Sequence, residues 1–216
     1  MKLRAVTSLA AAHYLDVMGG FHVRPGDGLP EETKTLLMFG PREPGFWAHV
    51  TRAPEFRDGK AHALDRWSTR VVGSLAHDIG ADPYFPFGGP PHRPFVAWAL
   101  RTGRAWSSDV GLLVHDQAGL MISFRGALGL SEYLDLPGRG TRPCDTCAEK
   151  PCRTACPVAA LTERGYDIPV CKTYLVSQEG QGCMGNGCAV RRACPRSEGS
   201  GRMAAQSAFH MRNFLG

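Results

Sequence analysis

No cysteine occurs in the first 143 residues of this 216-residue chain. That absence excludes a disulfide framework from the larger part of the molecule. No apolar run approaches the roughly 18 to 20 residues that span a bilayer. The opening stretch MKLRAVTSLAAAHYLDVMGG places Lys2 and Arg4 ahead of small and apolar residues, as a leader would. Thr7, Ser8, His13 and Asp16 interrupt it, however, and Leu9, Ala12 and Val17 fit one face of a surface helix. We therefore expect a helix here, no cleaved signal, no membrane span and a cytoplasmic protein. Phosphate-binding and hydrolytic signatures are missing too. There is no G-x-G-x-x-G after a strand, no G-x-x-x-x-G-K-[ST], no H-E-x-x-H and no G-x-S-x-G, which removes the chemistries those spacings serve. The net charge is +5, but the arginines are scattered and no aromatic-basic stripe is present, so nucleic acid is not an expected partner.

What is there is concentrated at one end. All eight cysteines, Cys144, Cys147, Cys152, Cys156, Cys171, Cys183, Cys188 and Cys194, fall in the last third. The first four read C-x2-C-x4-C-x3-C-P, compressed into thirteen residues. Zinc sites favour cysteine pairs with a longer stretch between them. Four thiols this close, the last followed by Pro157, suit a chain wrapped around an iron–sulfur cubane. The bacterial two-cluster pattern is C-x2-C-x2-C-x3-C-P, with its fourth cysteine ligating the other cluster. The second set is looser, Cys171-x11-Cys183-x4-Cys188-x5-Cys194, but it also ends in Cys-Pro. We therefore assign Cys144, Cys147, Cys152 and Cys194 to one [4Fe-4S] cluster, and Cys156, Cys171, Cys183 and Cys188 to the other. The x4 and x5 spacings leave local pairing open. Between the sets, helices are expected at Val158–Leu161 and Val170–Val176. Gly180, Gly182, Gly185 and Gly187 are expected to let backbone approach sulfur.

The preceding residues must be explained separately. Leu36 to Phe39 read as a buried strand stopped by Gly40-Pro41. In LDRWSTRVVGSLAHDIGA, residues Leu64, Trp67, Val71, Leu75 and Ile79 recur at helical spacing before Gly80, with Trp67 in the core. FVAWAL reads as a short amphipathic helix. GLLVHDQAGLMISFRGALGL reads as two strands joined through Asp116-Gln117-Ala118-Gly119. Gly126 suggests a close backbone approach. Arg125 suits either an ion pair or an anionic ligand group, and His115 a polar surface or satisfied core position. From Ser131 to Arg142 a stretch of Pro, Gly and charge marks a junction.

A mixed domain followed directly by a two-cluster tail resembles the epoxyqueuosine reductases and reductive dehalogenases. That resemblance implies a nitroreductase-like α/β domain that holds a corrinoid and a ferredoxin tail that feeds it electrons. VCKTYLVSQ is similar to the segment that opens the second cysteine set in those enzymes. LLVHDQAGLMISFRGAL is similar to a strand pair of the vitamin B12-processing (decyanating) proteins, with a pattern of His-Pro-x-x-Gly and then Arg-Gly. His115, Gly119, Arg125 and Gly126 match it, while Asp116 replaces the proline. Phe95 and Trp98 in FVAWAL resemble another segment of that group. These six residues are the cofactor-binding candidates that the resemblance implies. No counterpart of the enzymes' proton-donating tyrosine or aspartate is assigned; Tyr84, Tyr133 and Asp109 are available but in unmatched contexts.

The expected protein is α+β, with a nitroreductase-like mixed sheet and helices over 1–140 and a ferredoxin-like two-cluster module over 141–216. Its expected function is single-electron relay through two [4Fe-4S] clusters to a corrinoid or other cofactor in the first domain. The alternatives are a ferredoxin-type carrier docking a partner redox protein, and a zinc-stabilised interaction protein.

Overall fold

A computed structural model describes residues 2–216. In chain order its elements begin with α1 (Leu3–Ala12), β1 (Leu15–His22), β2 (Thr35–Pro41), α2 (Phe46–Val50), α3 (Ala63–Ile79), β3 (Asp82–Tyr84) and α4 (Phe95–Arg101). Next come β4 (Ala105–Ser107), β5 (Leu113–His115) and β6 (Gly126–Leu130). The cysteine-bearing part holds β7 (Leu161–Thr162), β8 (Gly165–Tyr166), α5 (Ile168–Val176), α6 (Gln181–Asn186), α7 (Ala189–Arg192), α8 (Pro195–Glu198) and α9 (Ala204–Leu215). The class is α+β. Among the described residues no helix is long and apolar enough to cross a membrane.

The chain forms two compact units. One comprises 1–104 with 123–139; the other comprises 105–122 with 140–216. This differs from the single junction expected near residue 140, because the segment Ala105–Ile122 belongs with the cysteines.

The first unit is built on a four-stranded sheet in the order β1-β2-β6-β3. Every pairing in it is antiparallel, so the expected mixed sheet is corrected. No strand–helix–strand crossover joins two parallel neighbours, which a mixed sheet requires. All seven residues of β2 are buried, as the Leu36–Phe39 run predicts, but the strand continues through Gly40 and Pro41. Helix α3 buries Leu64, Trp67, Val71 and Leu75 and ends at Gly80, following the 3.6-residue period. Phe39, Phe46 and Leu36 are fully buried, each contributing up to about 1.5–3 kcal/mol over an exposed side chain. Helix α1 stops at Ala12 and buries Val6 and Ala10, while Val17 lies in β1 and Leu9 is exposed. The strand propensity of Val17 outweighs the helical spacing that grouped it with Leu9 and Ala12.

Two further expectations fail in the second unit. The proposed pair across Asp116–Gly119 is not a hairpin: β5 pairs with β4, whereas β6 pairs with β2 and β3. Residues 120–125 are not strand. The apolar run around Leu120 and Ile122 is buried without a ladder, and such runs do not reveal their secondary structure by periodicity. After Pro157 the chain enters the β7–β8 hairpin rather than a helix. Ala159 takes a positive φ of 49° there, which a helix would not allow. Helix α5 forms around Cys171 as expected. An apolar cluster of Val110, Val114, Leu120, Leu161, Val190, Cys152 and Cys194 forms the core of this unit. Three of its members come from the 105–122 segment.

Candidate metal centre

The eight cysteines are free thiols, and the structure sorts them into two groups. Cys144 sits in a 3₁₀ turn at Pro143–Asp145, and Cys152 in another at Pro151–Arg153. Cys194 precedes α8, whose first residue is Pro195. These three line a cavity of about 470 Å³ together with Cys147. Burial pushes the Cys152 thiol up, and the neighbouring charges of Cys194, Cys144 and Cys147 push it further. Burial also raises Cys144, and a hydrogen bond from the Asp109 backbone amide opposes it. The Asp109 carboxylate is clamped by Lys150 at 2.7 Å and Arg142 at 2.9 Å, and is held below the ordinary value first by the Lys150 hydrogen bond. The cavity wall carries Lys150 and Arg196 beside Asp109 and Glu149, with Arg142 paired to Asp109.

The second group gathers Cys171 on α5, Cys183 on α6, Cys188 before α7, and Cys156. Burial raises the Cys171 thiol; the Tyr166 hydroxyl lowers it, and Cys188, Cys156 and Cys183 raise it again. Tyr166 donates to the Cys171 Sγ at 3.2 Å. The Ala160 backbone amide donates to the Cys156 Sγ at 3.2 Å. Arg191 is buried beside this group, its guanidinium hydrogen-bonded to the Leu120 carbonyl. Burial disfavours its charge, whereas Cys188 and Tyr166 favour it. Cys152 thus has Cys194, Cys144 and Cys147 as charged neighbours, and Cys171 has Cys188, Cys156 and Cys183. Among the described residues, no three His, Cys, Asp or Glu side chains converge closely enough to hold one metal ion.

Among the glycines between the sets, a Cβ on Gly180 would meet the Tyr174 carbonyl, and one on Gly187 would meet the Ser207 side chain; Gly182 and Gly185 face open space.

The six candidate cofactor-binding residues divide between the two units. His115 and Gly119 belong to the second unit, and Phe95, Trp98, Arg125 and Gly126 to the first. His115 is fully buried, and its Nδ1 accepts from the Gln117 and Ala118 amides at 3.2 and 3.3 Å. The same Nδ1 lies 3.3 Å from an Asp116 carboxylate oxygen. Gly119 has φ +56°, and a Cβ there would sit 2.5 Å from the Ser197 amide nitrogen. The position demands glycine for packing, and the adjoining Leu120 amide donates to the Ser197 hydroxyl at 2.8 Å. Phe95 and Trp98 are core residues 5.1 Å apart, and the Trp98 indole donates to the Asp27 carbonyl. Gly126 lets β6 approach Val72 and Tyr84. Arg125 faces Asp65 at 3.9 Å, the ion-pair alternative. Of the available proton donors, Tyr84 is buried, Tyr133 is exposed and Asp109 is engaged by its two cations.

Sequence reasoning missed Asp109, Tyr166 and Arg191 at the cysteine groups. The usable signal was weak: Tyr166 lies five residues before Cys171, and Arg191 three after Cys188. Comparison with protein-family models, curated proteins and solved structures gives no match to this chain.

Proposed function

We propose that the chain is an electron-transfer protein in which Cys144, Cys147, Cys152 and Cys194 hold one [4Fe-4S] cluster and Cys156, Cys171, Cys183 and Cys188 a second. The observation that carries this reading is the division of eight thiols into two groups of four, with the Cys-Pro cysteines exchanged between motifs. Such an exchange is the habit of two-cluster ferredoxins. The donor set also fits, being sulfur alone in partly buried surroundings. Thiols spread around a cavity suit a polynuclear group better than zinc, which draws four sulfurs to about 2.3 Å from one centre.

When bound, such clusters supply reversible one-electron exchange. The protein contributes ligands, seclusion and stabilisation of negative charge. At the second group, the Tyr166 hydroxyl, the Ala160 amide and the buried Arg191 all favour added negative charge. At the first group the Asp109 amide does so, while the Asp109 carboxylate offsets part of the charge of Lys150 and Arg142. Electron donor and acceptor are then partner redox proteins. We read the second unit as a ferredoxin-type module and the first as a nitroreductase-related scaffold. The corrinoid residues implied by resemblance divide between the two units, and no step is assigned to a corrinoid.

The test is purification without oxygen, followed by measurement of iron, sulfide, zinc and the visible spectrum. About eight irons and eight sulfides per chain, with broad absorbance that bleaches on reduction, support the reading. About two zincs without sulfide overturn it in favour of a structural protein. An additional corrinoid or flavin band would make the chain a reductase rather than a carrier.

A further inference from the structure

Away from the cysteines, the first unit contains a second cavity, of about 410 Å³, whose lining includes His13, Tyr14, His49, Arg52, Trp67 and Arg70. Its charged and titratable lining residues come from three places in the chain. His13 closes α1, His49 and Arg52 lie on and just after α2, and Arg70 projects from α3. The neighbouring acid is Glu55, which grips Arg70 through Nε at 2.5 Å and Nη2 at 3.1 Å. That contact leaves Nη1 of Arg70 uncommitted. Arg52 has no ion pair among the described residues. Converging cations repel one another in a partly desolvated cleft, and an anion relieves that repulsion. The mutual influence is visible at His49, whose protonation is disfavoured first by burial and then by His13, Arg52 and Arg70.

The same cavity has an aromatic lining of Tyr14, His49 and Trp67. Tyr14 holds a positive φ of 55°, a strained conformation for a tyrosine and one that accumulates at ligand-binding sites. Its ring stacks on His49 at 4.7 Å. Gly45 makes room for it, since a Cβ there would lie 2.7 Å from the Tyr14 Cε1. The His49 ring in turn meets Trp67 edge-on at 6.3 Å. The glycine and the stack hold a flat polar-aromatic surface in the same cavity as Arg52 and the remaining Nη1 of Arg70.

We propose that this cavity binds the phosphate group of a small molecule, with Arg52 and Arg70 as the anion clamp and the Tyr14–His49 stack as a platform for a planar substituent. Guanidinium groups match phosphate oxygens in charge and geometry, and the volume falls in the range of small-ligand sites. The inference is independent of what the cysteines hold.

The intact chain, in chloride buffer, is titrated calorimetrically with inorganic phosphate and separately with phenyl phosphate. Saturable one-to-one binding is expected, weakened about tenfold or more in Arg52→Gln, the loss of one charge-assisted contact. His49→Gln is expected to weaken phenyl phosphate binding too, and serves if the first variant misfolds. Tighter binding of phenyl phosphate assigns the site to a phosphate ester, and tighter binding of inorganic phosphate to the free anion. Absence of saturable binding overturns the proposal, as does equal affinity in the wild type and both folded variants.

Discussion

The Tyr166 hydroxyl donates a hydrogen bond to the Cys171 sulfur at 3.2 Å. Its ring stacks on Phe214 at 5.9 Å, and the next-door Lys172 ammonium reaches the Leu215 carbonyl at 2.9 Å. The end of α9 thus fixes the donor that points at a proposed ligand. A hydrogen bond to sulfur stabilises the electron-rich state and raises the reduction potential. Tyr166→Phe should lower the potential of one centre by tens of millivolts, on a scale of about 60 mV per 1.4 kcal/mol for one electron. Redox titration followed by electron paramagnetic resonance checks this; two unmoved potentials would remove Tyr166 from the site.

Cys147→Ala and Cys183→Ala act on different groups. Each should cost about half of the iron and sulfide and destabilise the second unit, because ligation there substitutes for apolar core. Metal analysis of the two variants checks the assignment, and full iron in both would refute it.

Gly119→Ala should destabilise the second unit by at least about 1–3 kcal/mol. The alanine would need a positive φ, and its Cβ would meet the Ser197 amide at 2.5 Å. Denaturant unfolding measures the loss. Unchanged stability would show that the α8 turn moves aside at little cost.

Arg125→Ala should leave iron content unchanged and reduce the stability of the first unit by about 1 kcal/mol, through lost packing and a weakened pair with Asp65. Thermal melting alongside metal analysis tests both parts. A change in iron content would give Arg125 a role that its position in the first unit does not suggest.

Glu55 supplies a pH dependence. Its hydrogen bond from Arg70 holds the carboxyl below the ordinary value of 4.5. A depressed folded-state value adds stability above the unfolded-state value, and that stability is lost as pH falls through the folded one. The contribution is on the order of 1 kcal/mol or less, because Arg70 is half exposed and screened. Glu55→Gln should therefore melt earlier than wild type near neutral pH, and the gap should narrow as pH falls below 4.5 and vanish once it has passed the depressed folded-state value. A gap independent of pH would mean that the glutamine disturbs packing instead.

Local signals proved readable where one physical cause dominated. The α3 face from Leu64 to Leu75 followed from its period alone, and the helix around Cys171 from its apolar run. The failures share a different cause. Leu120 and Ile122 are apolar because they are buried, and Val158–Leu161 lie where a positive φ at Ala159 and the β7–β8 pairing replace a helix. Tyr166 and Arg191 matter through proximity to Cys171 and Cys188, a relation that exists only after folding.

The chain passes between its two units three times, at residues 104/105, 122/123 and 139/140. The cysteine-rich tail is consequently not a transplantable cassette. Severed at residue 140, by a protease or by recombination onto another gene, it would leave behind Val110, Val114 and Leu120, which pack with Cys152 and Cys194. The piece that carries the cysteines with their packing partners is residues 105–122 together with 140–216, which no single cut releases.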